Sequence, residues 1–378
     1  MRRPWFGLFV LWLVLAALAT GLRQWSGSLE QRGVDRRATG GEVIALVDRS
    51  VSRLFDGPDR AMVPVAAVTV ERTDGRGGRE SFFYARVSGL WRCTTHMGLV
   101  ADQNAVLGLV QSVIDTKGVV RTSDLAQDDP ALADYDLGGA ASVRVSLHGV
   151  DVLKDEQRDV LFAVDLGRAL MRGGVFARRA DGSEVLELDR DLASGLRFTS
   201  RPVTGLATPP LIDPHVIPNT WPGFRVGIER VFVDRADGSG FELRRLTTPG
   251  PPGPDGRATV RWTVVDAETG EESDAHPVLA TGFELFLAHA EFAAPIDPRS
   301  VDPAALQRPD ATLTIQPVEG ELLEVLFLRP RASGARVVVD RYSQTAVEVD
   351  RTIAELLLPS VRQLTDPSLG IPWDPYLR

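Results

Sequence analysis

Residues able to do chemistry are scattered along this 378-residue chain, and their spacing decides which reactions they can support. Asp134-Tyr135-Asp136-Leu137-Gly138 sets alternating carboxylates before a glycine, as a calcium loop begins, but its twelfth position is Val145, where a bidentate glutamate is needed. A turn whose Tyr135 and Leu137 pack inward is therefore expected. Glu271-Glu272-Ser273-Asp274-Ala275-His276 has side chains suited to metal or acid–base work, yet it follows the turn-forming pair Thr269-Gly270 and reads as a solvated hairpin tip. The five histidines, His96, His148, His215, His276 and His289, never fall at the i, i+4 or H-x-H spacings that bring two imidazoles to one metal. Cys93 is the single cysteine, which excludes an internal disulfide and a cysteine zinc site. Two residues after Trp91, it is expected as a small core side chain.

No G-x-S-x-G elbow, G-x-x-x-x-G-K-[ST] loop or G-x-G-x-x-G loop occurs, which argues against a common serine hydrolase or nucleotide hydrolase. No catalytic, cofactor-binding or metal-ligating residue is assigned, and no cofactor is expected. Two alternatives keep a site open: an exported hydrolase using inter-domain carboxylates such as Asp213 or Glu229, and a module that binds a glycan or peptide. The tail Ile371-Pro372-Trp373-Asp374-Pro375-Tyr376-Leu377-Arg378 is the segment flagged for partner binding, through Trp373 and Tyr376. Exposed aromatics suit anchoring, and proline limits the entropy lost on docking. The alternative is that the tail packs on its own domain.

The apolar and charged fractions, 44% and 25%, are those of a folded chain, and the length leaves room for two domains. A formal charge of −9 provides no broad positive field, so nucleic acid is not an expected partner. Met1-Arg2-Arg3 precedes the uncharged run Pro4–Leu22, which as a helix reaches roughly 28 Å, close to the ~30 Å hydrocarbon core. Trp5 and Trp25 flank it where interfacial aromatics belong. The expectation is a retained single-pass helix in the inner membrane, with the remainder outside the cytoplasm; the rival is a signal peptide cleaved near Ala17-Leu18-Ala19, which also exports the remainder. No cysteine follows the run to accept a lipid.

Residues 1–3 are thus read as a cytoplasmic end, 4–22 as the membrane helix, and 23–62 as a stalk with a short helix built on Val43, Ile44, Ala45, Leu46, Val47, Val51, Leu54 and Phe55. Beyond Val63 the pattern changes to period two across a hairpin with a turn at 74–78, then a helix capped by Asp102 whose Val106, Leu109, Val110, Val113 and Ile114 share one face. Strands follow at 142–147, 159–165, 173–179 and 185–188, with a short helix from Asp189. The second half repeats this order. Ala67-Val68-Thr69-Val70-Glu71-Arg72-Thr73-Asp74-Gly75 aligns without gaps with Arg230-Val231-Phe232-Val233-Asp234-Arg235-Ala236-Asp237-Gly238. Glu187–Ala193 aligns with Glu348–Ala354, Trp91 with Trp262, and the first helix with a helix over 277–290. The fold class expected is α+β: two tandem related domains of antiparallel sheet with packed helices, 63–197 and 224–358, joined by a proline-rich linker at 198–223 and followed by a tail at 359–378.

The order strand, Asp-Gly turn, strand ending at Trp91, helix, Ala133-Asp134-Tyr135-Asp136-Leu137-Gly138, then the strand pair Val175–Leu188 resembles the bacterial domain-of-unknown-function 4340 family. The second copy departs from that pattern, with Ala304-Ala305-Leu306-Gln307-Arg308-Pro309 where the tyrosine-containing segment belongs. The resemblance implies an extracytoplasmic domain behind one N-terminal helix, in the company of ABC-type export or gliding components. It supplies no catalytic residue. The function expected is a non-enzymatic, membrane-anchored accessory or scaffold subunit whose partners are the membrane and proteins of an envelope complex.

Overall fold

A computed structural model describes residues 42–47, 65–73, 79–137, 142–149, 160–171, 173–196, 209–248 and 259–376. The expected membrane helix at 4–22, most of the stalk, the turn at 74–78, linker residues 198–208 and the Tyr376 side chain lie outside the described residues. Among the described residues, no helix is long and apolar enough to cross a membrane.

Alternating apolar residues build two large antiparallel sheets. The first contains β1 (Val43–Ala45), β2 (Ala67–Thr73), β3 (Arg79–Val87), β4 (Leu90–Cys93), β5 (Leu99–Val100), β6 (Lys117–Thr122), β7 (Val143–His148), β8 (Val160–Ala169), β9 (Val175–Arg179) and β10 (Val185–Leu188). Its order is β1-β6-β10-β9-β8-β7-β2-β3-β4-β5. Helix α1 (Gln103–Asp115) connects β5 to β6, with the Asp102 carboxylate accepting from the Asn104 and Ala105 amides at 3.0 Å each. That cap satisfies amides the helix cannot pair itself. Val106, Leu109, Val110 and Val113 of α1 join Val68, Val70, Phe82, Tyr84 and Leu147 in one core.

The second sheet contains β11 (Ile228–Arg235), β12 (Gly240–Thr248), β13 (Thr259–Asp266), β14 (Glu272–Asp274), β15 (Ala294–Ile296), β16 (Ala311–Pro317), β17 (Leu323–Phe327), β18 (Arg336–Asp340) and β19 (Thr345–Val349). Its order is β14-β13-β12-β11-β16-β17-β18-β19-β15. Reading the first sheet from β5 to β6 gives the same path, strand for strand, with β1 added beyond β6. Helix α2 (Pro277–His289) occupies the place of α1 and packs Leu279, Phe283, Phe286 and Leu287 on Val231, Val233 and Leu313. Trp91 and Trp262 sit on the matching strands β4 and β13, 4% and 3% exposed.

The class is more β-rich than the expected α+β. Nearly all the order is antiparallel sheet, and α1 and α2 are the two helices of 13 residues. Two local readings are corrected. Val43–Ala45, assigned to a stalk helix, forms edge strand β1 on β6, and Leu46 and Val47 enter the first core, because the contiguous apolar run is satisfied better by a sheet edge than by one helix face. The helix expected from Asp189 is a turn, with the Asp191 carboxylate accepting from the Ala193 and Ser194 amides and so competing with helix continuation. Its counterpart in the second half is the helix Arg351–Leu357.

Trp373 is fully buried in the second core, its ring 5.5 Å from Phe283 and its indole N–H donating to the Leu356 carbonyl at 3.2 Å. Replacing it empties a large packed volume and leaves that carbonyl unpaired. Trp373→Ala is expected to cost about 3–5 kcal/mol, measured by urea unfolding; a loss under about 1 kcal/mol would mean the tail is not part of the core.

Candidate functional site

The segment from Pro210 to Val216 hydrogen-bonds to both halves. On one side it extends the β5 edge: Asp102 N–H donates to the Leu211 carbonyl at 2.8 Å, Asp213 N–H to the Val100 carbonyl at 3.0 Å, and Ala101 faces Ile212. On the other it meets the strand-like approach to β15: Val216 N–H donates to the Ala290 carbonyl at 2.7 Å, Phe292 N–H to the Pro214 carbonyl at 2.9 Å, and His215 faces Glu291. Prolines at 209, 210 and 214 fix φ on both sides of a turn at Leu211, whose φ is 60°, and narrow the unfolded ensemble. The Tyr84 hydroxyl, in the core of the first half, donates to the Pro210 carbonyl. Burial drives that phenol far above its ordinary pKa, so it stays a donor.

Asp213 organises the clasp. Its side chain is almost fully buried; Oδ1 accepts from the His215 amide at 3.1 Å and faces His215 Nδ1 at 2.5 Å, while Oδ2 accepts from the Asn219 amide at 2.8 Å. Both carboxylate oxygens are thus engaged in holding the turn into the second half. The imidazole is oriented by the pair, but Asn219 is its other side-chain neighbour, and among the described residues no serine, threonine or cysteine hydroxyl or thiol is bonded to it. This is the geometry of a joint rather than of an activated nucleophile.

A second contact bridges the halves directly. Arg92 Nη1, on β4, donates to the Gly98 carbonyl at 3.0 Å and to the Ser343 carbonyl, in the β18–β19 turn, at 2.7 Å. That turn is built on Asp340, which accepts from the Tyr342 amide at 2.9 Å, the Ser343 amide at 3.2 Å and the Ser343 hydroxyl at 2.5 Å. Burial pushes the Asp340 carboxyl above the usual range against the pull of these bonds and of Arg92, and burial likewise lowers Arg92. Desolvation leads for both groups, so the contact positions the halves more than it stabilises them.

The other sequence candidates are dispersed. Glu229, half-exposed at the start of β11, faces Gln316 and Arg230 and shares no partner with Asp213. Trp373 is inside the protein, so in this fold it is not available as a partner anchor. Asp134 and Tyr135 end the six-residue 3₁₀ helix Pro130–Tyr135, with Asp136 as its left-handed cap; Leu137 is buried and Tyr135 packs edge-on against Phe176 at 4.9 Å between centroids. Glu271 and Glu272 are exposed, following the Gly270 turn. Cys93 is buried beside Tyr84, with its thiol pushed up to about 11 by burial, an inert core group. His96 packs on Phe82 and is lowered by burial, His148 meets Thr69 Oγ1 at 2.7 Å, and His289 Nδ1 meets the Leu285 carbonyl at 2.7 Å. Among the described residues, no three metal-ligating side chains converge. Tyr84, Arg92 and Ser343 escaped sequence reasoning because each acts across the boundary between the halves, and nothing local marks a tyrosine or arginine for that.

No protein family, no curated protein and no solved structure matches this chain.

The raised Asp340 carboxyl has a signed consequence. The folded state holds this proton more tightly than the unfolded chain, so its contribution is favourable below the unfolded value, about 3.9, and is lost as pH rises through the folded value. The stability of wild type relative to Asp340→Asn is therefore expected to decline as pH rises from about 4 toward neutrality. Urea unfolding of both proteins across pH 3.5–8 measures this; parallel profiles would contradict it.

Proposed function

We propose that this chain is a membrane-anchored, extracytoplasmic scaffold subunit made of a duplicated antiparallel module. In this reading Pro4–Leu22 spans the inner membrane once and residues 63–358 stand outside the cytoplasm as two related domains. The observation that carries it is the Pro210–Val216 clasp. Proline-rich chain that pairs with both halves supports a joint over an inter-domain hydrolytic cleft. The shared strand order of the two sheets supports duplication, since independent origin would have to reproduce nine strand positions and one helix crossover. The resemblance of Ala133–Gly138 and Val175–Leu188 to the domain-of-unknown-function 4340 family supports the context, an ABC-type transport or gliding system.

Duplicated rigid modules suit a structural role because two similar faces are held at a fixed separation, offering partner subunits paired docking sites. Purifying the full chain from mildly solubilised membranes is expected to bring with it the permease and ATPase subunits of an ABC-type system. Recovery as a lone monomer would overturn the assignment.

A further inference from the structure

The two halves share a topology but differ at one place on the sheet face opposite α1 and α2. In the first half the segment Asp129-Pro130-Ala131-Leu132-Ala133-Asp134-Tyr135 crosses that face, starting at the Asp129 cap. In the second half its counterpart is Asp302-Pro303-Ala304-Ala305-Leu306-Gln307-Arg308, starting at the Asp302 cap. Leu132 is replaced by Ala305, and Tyr135 by Arg308. The strand beneath changes in step. Phe176 pairs with Glu187, and Val337 pairs with the equivalent Glu348, so the Tyr135–Phe176 ring contact becomes Arg308 above Val337.

A glycine explains why the first face is closed. A Cβ at Gly167 would lie 2.1 Å from the Tyr135 carbonyl oxygen and 3.1 Å from Leu137, so the segment lies directly on bare backbone there. Leu166 pairs with Ala177, and Phe327 with the equivalent Val338, which places Leu328 at the position of Gly167. The leucine side chain holds the second segment off its sheet. The result is a groove of about 470 Å³ lined by the apolar Val301, Ala305, Leu328 and Val337, by Arg308, Arg329 and Arg331, and by one carboxylate, Asp302, which caps the overlying helix through the Ala304 amide. Arg331 is paired with Glu348. Arg308 and Arg329 are exposed and have no ion-pair partner among the described residues. At the equivalent position in the first half, Arg168 lies over the Phe176 ring at 5.7 Å, a contact Val337 cannot offer Arg329.

We propose that this groove binds a small organic anion, with a carboxylate or phosphate head held by Arg308 and Arg329 and a short apolar body on Leu328 and Val337. Guanidinium forks match either head in bidentate geometry, and with Arg331 paired to Glu348, Arg308 and Arg329 still outnumber the one carboxylate of the lining, Asp302, in a chain of net charge −9. The volume lies in the range of small-molecule sites, roughly 300–1,000 Å³. The first half, with the same fold, has filled the equivalent space with Leu132, Tyr135 and Phe176, so the fold itself does not require the opening.

The test is calorimetric titration of the full chain in lipid nanodiscs with hexanoate, with hexyl phosphate and with neutral hexanol, against empty nanodiscs. Saturable binding of at least one anion is expected, with hexanol not binding. Arg308→Gln with Arg329→Gln, both surface changes, is expected to weaken that binding at least tenfold, and higher salt to weaken it further. Ala305→Leu with Val337→Phe, which copies the filled first half, is expected to abolish it while circular dichroism stays unchanged. Hexanoate alone or hexyl phosphate alone identifies the head group. Silence from both anions, equal binding of hexanol, or anion binding that survives the double glutamine variant would overturn the proposal.

Discussion

The architecture depends on the Pro210–Val216 segment, whose backbone groups are divided between two sheets. An edge strand is paired on one side and presents unpaired amides and carbonyls to water on the other. Here one short stretch turns its polar groups first to Val100 and Asp102, then to Ala290 and Phe292. Neither set can be released without leaving backbone groups unpaired at a largely buried junction, where each costs about 1–3 kcal/mol. Tyr84 and Asp213 secure the two ends of the segment from opposite sides, one from the first core and one from the turn into the second. The Arg92 contact to the Ser343 carbonyl then ties the halves together from the neighbouring strand, where Arg92 is the register partner of Val100, the residue that accepts from Asp213.

Once the join is fixed, the two sheets are free to diverge on their outer faces. The inner faces are constrained by the helices: Val113 and Phe286 are fully buried, and any change of volume there disturbs a packed core. Among the described residues the outer faces carry a short segment in place of a long helix, and it tolerates a different fit. The exchange of Gly167 for Leu328 illustrates this. A single side chain on a strand lifts the overlying segment, and the apolar seal formed by Tyr135 and Phe176 in one half becomes an arginine-edged groove in the other.

Much of the sheet was legible because its signals are local. The period-two runs around Val68 and Val231, the Asp102 cap and the aligned segments at Glu187 and Glu348 each carry their own physics within a few residues. The tail and stalk were less legible for the opposite reason. Trp373 has the composition of an exposed anchor, and only its distant neighbours Phe283 and Leu356 make it core. Val43–Ala45 fits a helix face equally well until β6 presents an open edge. The groove was partly visible in the sequence as the replacement of a tyrosine-containing segment by Ala304–Pro309. Its opening also needs Leu328, which lies on a strand remote in sequence, so no window of residues contained both halves of the cause.

Differential scanning calorimetry of the full chain tests the central claim, that the clasp makes the two halves one cooperative unit. The wild type is expected to melt in a single transition whose calorimetric and van't Hoff enthalpies agree, and Asp213→Ala to split it into two. Two independent transitions in the wild type, unaltered by Asp213→Ala, would contradict it.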